Sequence, residues 1–180
     1  MFDRVFFNPE NRGLSWNLNR FWFEESKGRY ILDIEDDWIC EFKDNFIGNG
    51  LDILKENESV GGVRFERKYP GDYRRWNEAF KIHQRVMSER VFETKTGHHY
   101  RLLEKQRNGE GVFGNACTLY RFAALALTGR IRDDKERRRD QEPEYMAKFN
   151  TLWEGARGTE QKDSPFLHIG YGRSVPTWNR

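Results

Sequence analysis

Asp52, Glu66 and Lys68 are the residues whose types and spacing could act together in catalysis. The sequence predicts Asp52 just before a strand, with Glu66 and Lys68 two residues apart on one face of that strand. Two carboxylates in this arrangement could bind Mg²⁺, which prefers oxygen ligands, while the lysine orients an attacking water or stabilises developing charge. The predicted chemistry is metal-dependent hydrolysis, with Asp52 and Glu66 as the metal ligands.

This arrangement resembles the active-site pattern of the PD-(D/E)XK nucleases across residues 50–68. Gly50-Leu51-Asp52 is followed by Val63-Arg64-Phe65-Glu66-Arg67-Lys68, with Leu51 where that family usually has proline. The resemblance implies a Mg²⁺-dependent nuclease whose catalytic residues are Asp52, Glu66 and Lys68.

A structural interpretation of Glu66 and Lys68 is favoured over the catalytic one. The same E-x-K tripeptide occurs at 41–43 and at 93–95, so a highly charged chain produces it readily. Glu66 and Lys68 are then the solvated face of an amphipathic strand whose other face packs on the core.

Cys117 is a second candidate for chemistry, with His168 or His99 as its base. It follows Gly114-Asn115-Ala116 at a predicted helix start, where backbone N–H groups lower the pKa of a thiol. The apolar residues after Cys117 favour a packed core cysteine instead. No metal-ligand spacing is present among the four histidines, so no cofactor is expected apart from Mg²⁺ in the nuclease alternative; these histidines are His83, His98, His99 and His168.

Strands dominate the predicted N-terminal half. Alternating apolar and polar residues predict strands at 30–34 and 38–42, and the aromatic-rich 20–24 is included in the same strand-forming region. Turn-like residues between these runs predict an antiparallel meander. A fourth strand is predicted at 62–69.

Helical periodicity appears after Asp72, a predicted N-cap, and indicates an amphipathic helix that packs on the sheet. A strand at 98–103 follows, then a small apolar helix at 116–127 closed by Gly129. The charged stretch beyond it is predicted to be helical in two pieces divided at Pro143. The fold class is therefore α+β: an N-terminal antiparallel sheet packed by an amphipathic helix, a charged helical C-terminal part and an extended C-terminal arm.

The composition indicates one globular unit of mixed charge. The chain has 180 residues, with 31 basic and 29 acidic side chains, and its net charge of +2 does not indicate nucleic-acid binding. Cys40 and Cys117 lack paired spacing, and no apolar run is long enough to span a membrane. We therefore expect an intracellular protein of the cytoplasm or an organelle matrix that is not secreted.

Aromatic residues, 15% of the chain, are prominent in both terminal segments. The predicted organisation is an N-terminal arm at 1–16, a single α+β domain at 17–154 and a C-terminal docking arm at 155–180. Because aromatic side chains often anchor interfaces, the sequence favours a non-catalytic accessory or scaffolding subunit whose partners are other protein subunits. The residues expected to contact these partners are Phe6, Phe7, Trp16, Phe166, Tyr171 and Trp178.

A further alternative is a single-stranded nucleic-acid binding module. In that arrangement Trp22, Trp38 or Tyr30 would stack on bases from an exposed sheet face. Burial of these rings in the core would argue against it.

Overall fold

A six-stranded mixed sheet forms the centre of the computed structural model, which describes residues 10, 12–34, 38–41, 45–67, 87–103, 117–132, 141–158 and 165–168. The spatial order of its strands is β1-β7-β3-β8-β6-β5. In chain order these strands are β1 (Tyr30–Asp33), β3 (Val60–Arg64), β5 (Met87–Glu93), β6 (His99–Leu103), β7 (Thr118–Arg121) and β8 (Glu154–Arg157). A smaller sheet has the order β2-β9-β4, formed by β2 (Trp38–Cys40), β9 (Phe166–His168) and β4 (Glu66–Arg67).

Strand direction gives the large sheet one edge at which several strands end. β7 is antiparallel to both β1 and β3, and β3 is parallel to β8. The carboxyl ends of β1, β3 and β8 therefore meet at the same edge, which we call the carboxyl edge. Only Phe65 separates β3 from β4, so the smaller sheet begins at this edge.

Helices cover both faces of the large sheet. On one face lie α1 (Leu14–Arg20), the π-helix Phe21–Glu25 that continues it, α3 (Phe122–Thr128) and α4 (Gln141–Leu152). The other face is covered by α2 (Phe46–Glu56), which begins where the Asn45 side chain accepts a hydrogen bond from the Gly48 N–H at 3.1 Å. None of the helices in the described residues combines the length and the hydropathy needed to cross a membrane.

The core on the α1, α3 and α4 face is built around aromatic rings. Trp22 is fully buried, and its ring centroid lies 6.2 Å from that of Tyr120 and 5.9 Å from that of Tyr145. Gly62, the register partner of Tyr120, leaves room for this ring, because a Cβ atom there would lie 3.1 Å from it. The register thus places a large ring opposite a glycine.

The core on the α2 face joins the two sheets. Ile53 and Leu54 of α2 are fully buried in the same cluster as Val63. Phe46 makes edge-on ring contacts with Phe65 and Phe166, each with a centroid distance of 5.2 Å, so the smaller sheet packs on the start of α2.

The α+β class is confirmed, as are strands beginning at Tyr30 and Trp38, and the strand predicted at 98–103 is present at His99–Leu103. The predicted meander is wrong, because β1 pairs with β7 and β2 belongs to the other sheet. Residues 20–24 are helical rather than extended, since Leu18 and Trp22, four residues apart, both turn into the core.

Other predicted boundaries differ from the structure. The helix predicted at 116–127 begins only at Phe122, because residues 118–121 form the strand inserted between β1 and β3, although Gly129 does end it, at φ 93°. The strand predicted at 62–69 is divided at Phe65 between two sheets. The proposed arm boundary at 155 falls inside β8, which pairs with β3 and β6. The helix predicted after Asp72 lies outside the described residues.

Candidate active site

A row of polar side chains crosses one face of the large sheet at the carboxyl edge. Asp33, the last residue of β1, pairs in register with Thr118 of β7, and Thr118 pairs with Arg64, the last residue of β3. Residues directly opposite one another in a sheet carry their side chains on the same face. The three side chains therefore lie next to one another, and their exposed fractions are only 8%, 0% and 2%.

Two further arginines extend this row. Arg157 follows Ala156, the register partner of Val63, which places it beside Arg64 at the end of β8. Arg157 pairs in turn with Arg101 of β6. Arg157 is 2% exposed and Arg101 is half-buried. We name these residues the polar row: Asp33, Thr118, Arg64, Arg157 and Arg101.

The alternation of strand side chains explains why the row forms here. Ile31, Tyr120 and Gly62 form the neighbouring register row on the same face, two residues further from the carboxyl edge. Ile31 and Tyr120 belong to the aromatic core beneath the helices. The face therefore changes from apolar to charged within one period of the strands.

The polar row carries more positive than negative charge. Arginine stays protonated in proteins, so the row contains three guanidinium cations and one carboxyl group. Neighbouring cations repel one another more strongly where water is excluded from the space between them. Buried like charges in this arrangement require counter-charge, because burial also removes the solvation of each ion.

This arrangement has two chemical capacities. A buried carboxylate can accept a proton from a hydroxyl group, and guanidinium groups can bind phosphate or carboxylate oxygens in pairs. In open sheets, ligands bind outside the carboxyl ends of parallel strands. The carboxyl edge is thus the candidate active site.

Comparison with protein families shows which family the chain belongs to. Glycosyl transferase family 2 matches residues 4–128, which is more than half of the chain. The chain belongs to glycosyl transferase family 2. The matched range contains four members of the polar row, and only Arg157 lies beyond it. No curated protein matches the chain.

Membership of glycosyl transferase family 2 corrects the functional expectations from the sequence. The predicted accessory or scaffolding subunit is wrong, because a family of transferases indicates a catalytic protein. The nuclease alternative is wrong because the family is one of glycosyl transferases and not of nucleases. The nucleic-acid alternative also loses its stacking platform, because Trp22 is fully buried and both Tyr30 and Trp38 pack partly against the core.

The residues of the predicted hydrolytic site belong to different elements of the chain. Asp52 lies within α2 rather than before a strand, and its Oδ2 accepts a hydrogen bond from the Thr96 hydroxyl at 2.8 Å and lies 3.9 Å from His98 Nε2. Glu66 is in β4 of the smaller sheet, and Lys68 lies outside the described residues. Over the part of the chain that the structure describes, no three histidine, cysteine or acidic residues are grouped as metal ligands.

Cys117 is a core residue, as the favoured interpretation predicted. It is fully buried and directly precedes β7, with φ 36°, so the expected helix start is not present. His99, one proposed base, lies on the surface with its Nε2 3.6 Å from a Glu93 carboxylate oxygen. His168, the other, is in β9, while His83 lies outside the described residues.

The predicted partner-binding residues have different environments. Phe166 is buried at 4% exposure against Phe46, so its ring forms part of the core and not of the surface. Trp16 is half-buried, and the guanidinium carbons of Arg12 and Arg20 lie 5.0 Å and 5.5 Å from its ring centroid. Four other predicted contacts lie outside the described residues: Phe6, Phe7, Tyr171 and Trp178.

Sequence reasoning missed every member of the polar row. Asp33 lies in the strand predicted at 30–34 and Arg64 in the strand predicted at 62–69, but the sequence pattern assigns neither residue a functional role. The available signal was a charged side chain at the last position of a strand, shared by Asp33, Arg64 and Arg157. That signal becomes informative only once strand pairing shows that these strand ends meet.

Proposed function

We propose that this chain catalyses the transfer of a glycosyl group from an activated donor to a hydroxyl group of an acceptor, at the carboxyl edge beside Asp33. Two findings support the proposal. The chain belongs to glycosyl transferase family 2, and a buried carboxyl group stands at the edge where ligands of such sheets bind. The position of Asp33 is the observation that carries it.

Glycosyl transfer requires a base and a departing anion. A bond forms between the acceptor oxygen and the anomeric carbon of the donor, while the bond from that carbon to the leaving-group oxygen breaks. The bonding electron pair departs with the leaving group, and the acceptor hydroxyl loses its proton. In this proposal the Asp33 carboxylate accepts that proton, which is the ordinary work of a positioned general base.

The surroundings of Asp33 suit this role. Burial beside Thr118 limits its contact with bulk water, and electrostatic interactions are stronger in such a site. Ile34, the next residue, is exposed, so the chain reaches the surface directly after Asp33. If transfer needs a divalent cation, oxygen ligands follow in the sequence at 35–37, as Glu-Asp-Asp. No step of the proposal relies on that cation.

The test is a transfer assay with two matched carboxamide variants. The purified chain is incubated with a panel of activated sugar donors and saccharide acceptors, and product mass and leaving-group release are measured. We expect Asp33→Asn to lower kcat by about 100-fold or more, the usual contribution of a general base. Asp52→Asn makes the same chemical change on α2, away from the polar row, and should retain kcat.

Folding of both variants is checked by circular dichroism and thermal unfolding. A folded Asp33→Asn protein with the kcat of the unmodified chain would show that Asp33 is not the base. A large loss in Asp52→Asn with full activity in Asp33→Asn would move the active site to α2.

A further inference from the structure

We infer that Thr118 is a positioning residue for Asp33, and that its hydroxyl group donates a hydrogen bond to the Asp33 carboxylate in the reactive state. The inference rests on the proposed function, since it gives Thr118 a role in holding the base of glycosyl transfer. It adds the residue that orients this base and keeps it in the form that accepts a proton.

Strand pairing makes Thr118 the direct cross-strand neighbour of Asp33. In the described part of the large sheet β1 comes first, with β7 beside it, and Asp33 pairs in register with Thr118. Residues directly opposite one another have Cβ atoms about 4.5–5.5 Å apart, which a hydroxyl group and a carboxylate can bridge with one hydrogen bond. Both side chains are buried, so they lie in contact away from bulk water.

The methyl group of Thr118 indicates how its side chain is oriented. A Cβ atom at Gly62 of β3 would lie 3.3 Å from Thr118 Cγ2, so the methyl group points towards Gly62. Staggered rotamers place Oγ1 about 120° from Cγ2 around the Cα–Cβ bond. The hydroxyl group is therefore directed away from Gly62, towards β1 or the carboxyl edge. Asp33 lies on that side of Thr118.

The surroundings of Asp33 make a hydrogen-bond donor useful to the reaction. Ile31 and Tyr120 occupy the next register row and belong to the aromatic core. Burial against such a core disfavours the charged form of a carboxyl group, whereas a hydrogen-bond donor favours it. A base must be charged to accept a proton, and a threonine hydroxyl can supply the donor. Packing of the Thr118 methyl group beside Gly62 is the competing explanation for this threonine, and the experiment below separates the two.

The test compares Thr118→Val, Thr118→Ser and the unmodified full chain in the transfer assay over a range of pH. Valine has nearly the shape of threonine but no hydroxyl group, so Thr118→Val should lower kcat by about 10- to 100-fold, the loss of a hydrogen bond to a charged group. KM should stay within about 3-fold, because the lost interaction orients the base and does not bind substrate. Thr118→Ser keeps the hydroxyl group and should recover most of the kcat.

The pH profile of kcat distinguishes positioning from packing. Loss of a donor lets a carboxyl group hold its proton to higher pH, so the acid limb of the profile should move to higher pH in Thr118→Val and return in Thr118→Ser. A packing defect would lower kcat without moving this limb. The charged members of the polar row on the same face, Arg64, Arg157 and Arg101, are present in both variants. They therefore cannot account for a difference between valine and serine.

Thr128→Val is the matched control. Thr128 of α3 is also buried, and its hydroxyl group donates a hydrogen bond to the Ala124 carbonyl oxygen at 2.8 Å. The variant makes the same chemical change outside the polar row, so its kcat and pH profile should be those of the unmodified chain. Folding of every variant is checked by circular dichroism. If Thr118→Val does not fold, Thr118→Ala takes its place, because it removes the same hydroxyl group without placing a new methyl group beside the carboxylate.

A double variant, Thr118→Val with Asp33→Asn, tests whether Thr118 acts through Asp33. If it does, the two losses overlap, and the double variant should have about the kcat of Asp33→Asn alone. Losses that multiply would overturn the inference. So would an acid limb that stays in place in Thr118→Val, an equal change in Thr128→Val, or no recovery in Thr118→Ser.

The same assay separates failure of this inference from failure of the proposed function. A large loss in Asp33→Asn, with the kcat and pH profile of the unmodified chain in Thr118→Val, would remove only the positioning role. Full activity in Asp33→Asn, or no transfer by the unmodified chain, would refute the proposed function and the role of Thr118 with it.

Discussion

Replacement of Asn19 by alanine tests whether α1 is fixed to the segment after α3 by a single side chain. Asn19 Nδ2 donates a hydrogen bond to the Ile131 carbonyl oxygen at 2.6 Å, and the Ile131 N–H donates one to Asn19 Oδ1 at 2.8 Å. Both residues are buried, at 6% and 2% exposure. The amide side chain thus satisfies both backbone polar groups of a residue 112 positions away.

The structure sets the magnitude of this effect. Alanine leaves the buried N–H and C=O of Ile131 without partners, at about 1–3 kcal/mol for each group. The better helix propensity of alanine returns up to about 0.7 kcal/mol. We therefore expect Asn19→Ala to lower the free energy of unfolding by about 2–5 kcal/mol, a large part of the 5–15 kcal/mol that is typical of a folded protein.

Urea denaturation followed by circular dichroism measures this loss, with the slope of unfolding free energy against urea unchanged if the native state stays compact. Asn49→Ala is the control, because the half-buried Asn49 side chain of α2 makes no hydrogen bond to another of the described residues, and its change in unfolding free energy should be within about 0.5 kcal/mol. Equal stability of Asn19→Ala and the unmodified chain would refute the role given to this side chain.

Two further predictions concern packing and proton binding in the same core. Gly61→Ala should lower the free energy of unfolding by about 1–3 kcal/mol through overpacking, because its Cβ atom would lie 2.8 Å from Trp153 Cβ. Gly158→Ala is the control, because its Cβ atom would meet no atom closer than 3.6 Å. Equal melting temperatures of the two variants would contradict this packing. Burial raises the pKa of Tyr145 well above its ordinary 10.0, so the folded state keeps a proton that the unfolded chain loses. The resulting stability is present below about pH 10 and is lost at higher pH, by at most about 1.4 kcal/mol per pH unit. Tyr145→Phe should remove this dependence, which is measured by comparing the free energy of unfolding at about pH 9 and about pH 11. The same pH slope in both proteins would refute this explanation.

Local sequence patterns were enough to predict several elements. Alternation predicted β1 and β2, because side chains of a strand point to opposite faces regardless of which strand it pairs with. Gly129 was correctly predicted to end a helix, since a positive φ suits glycine. By contrast, α2 was missed, because Gly48 and Gly50 weaken its helical pattern and its stability comes from packing on the sheet.

The family assignment and the strand pattern are properties of the sequence itself, whereas the polar row is a product of tertiary structure. Asp33, Arg64 and Arg157 are far apart in the chain and have no common motif. They come together because β7 inserts between β1 and β3, and because β8 adds in parallel to β3. Strand register depends on contacts between distant segments, which no local periodicity records. Sequence patterns therefore determined the α+β class, comparison of the whole sequence with protein families determined the family, and only the pairing of the strands determined which charged residues share the carboxyl edge.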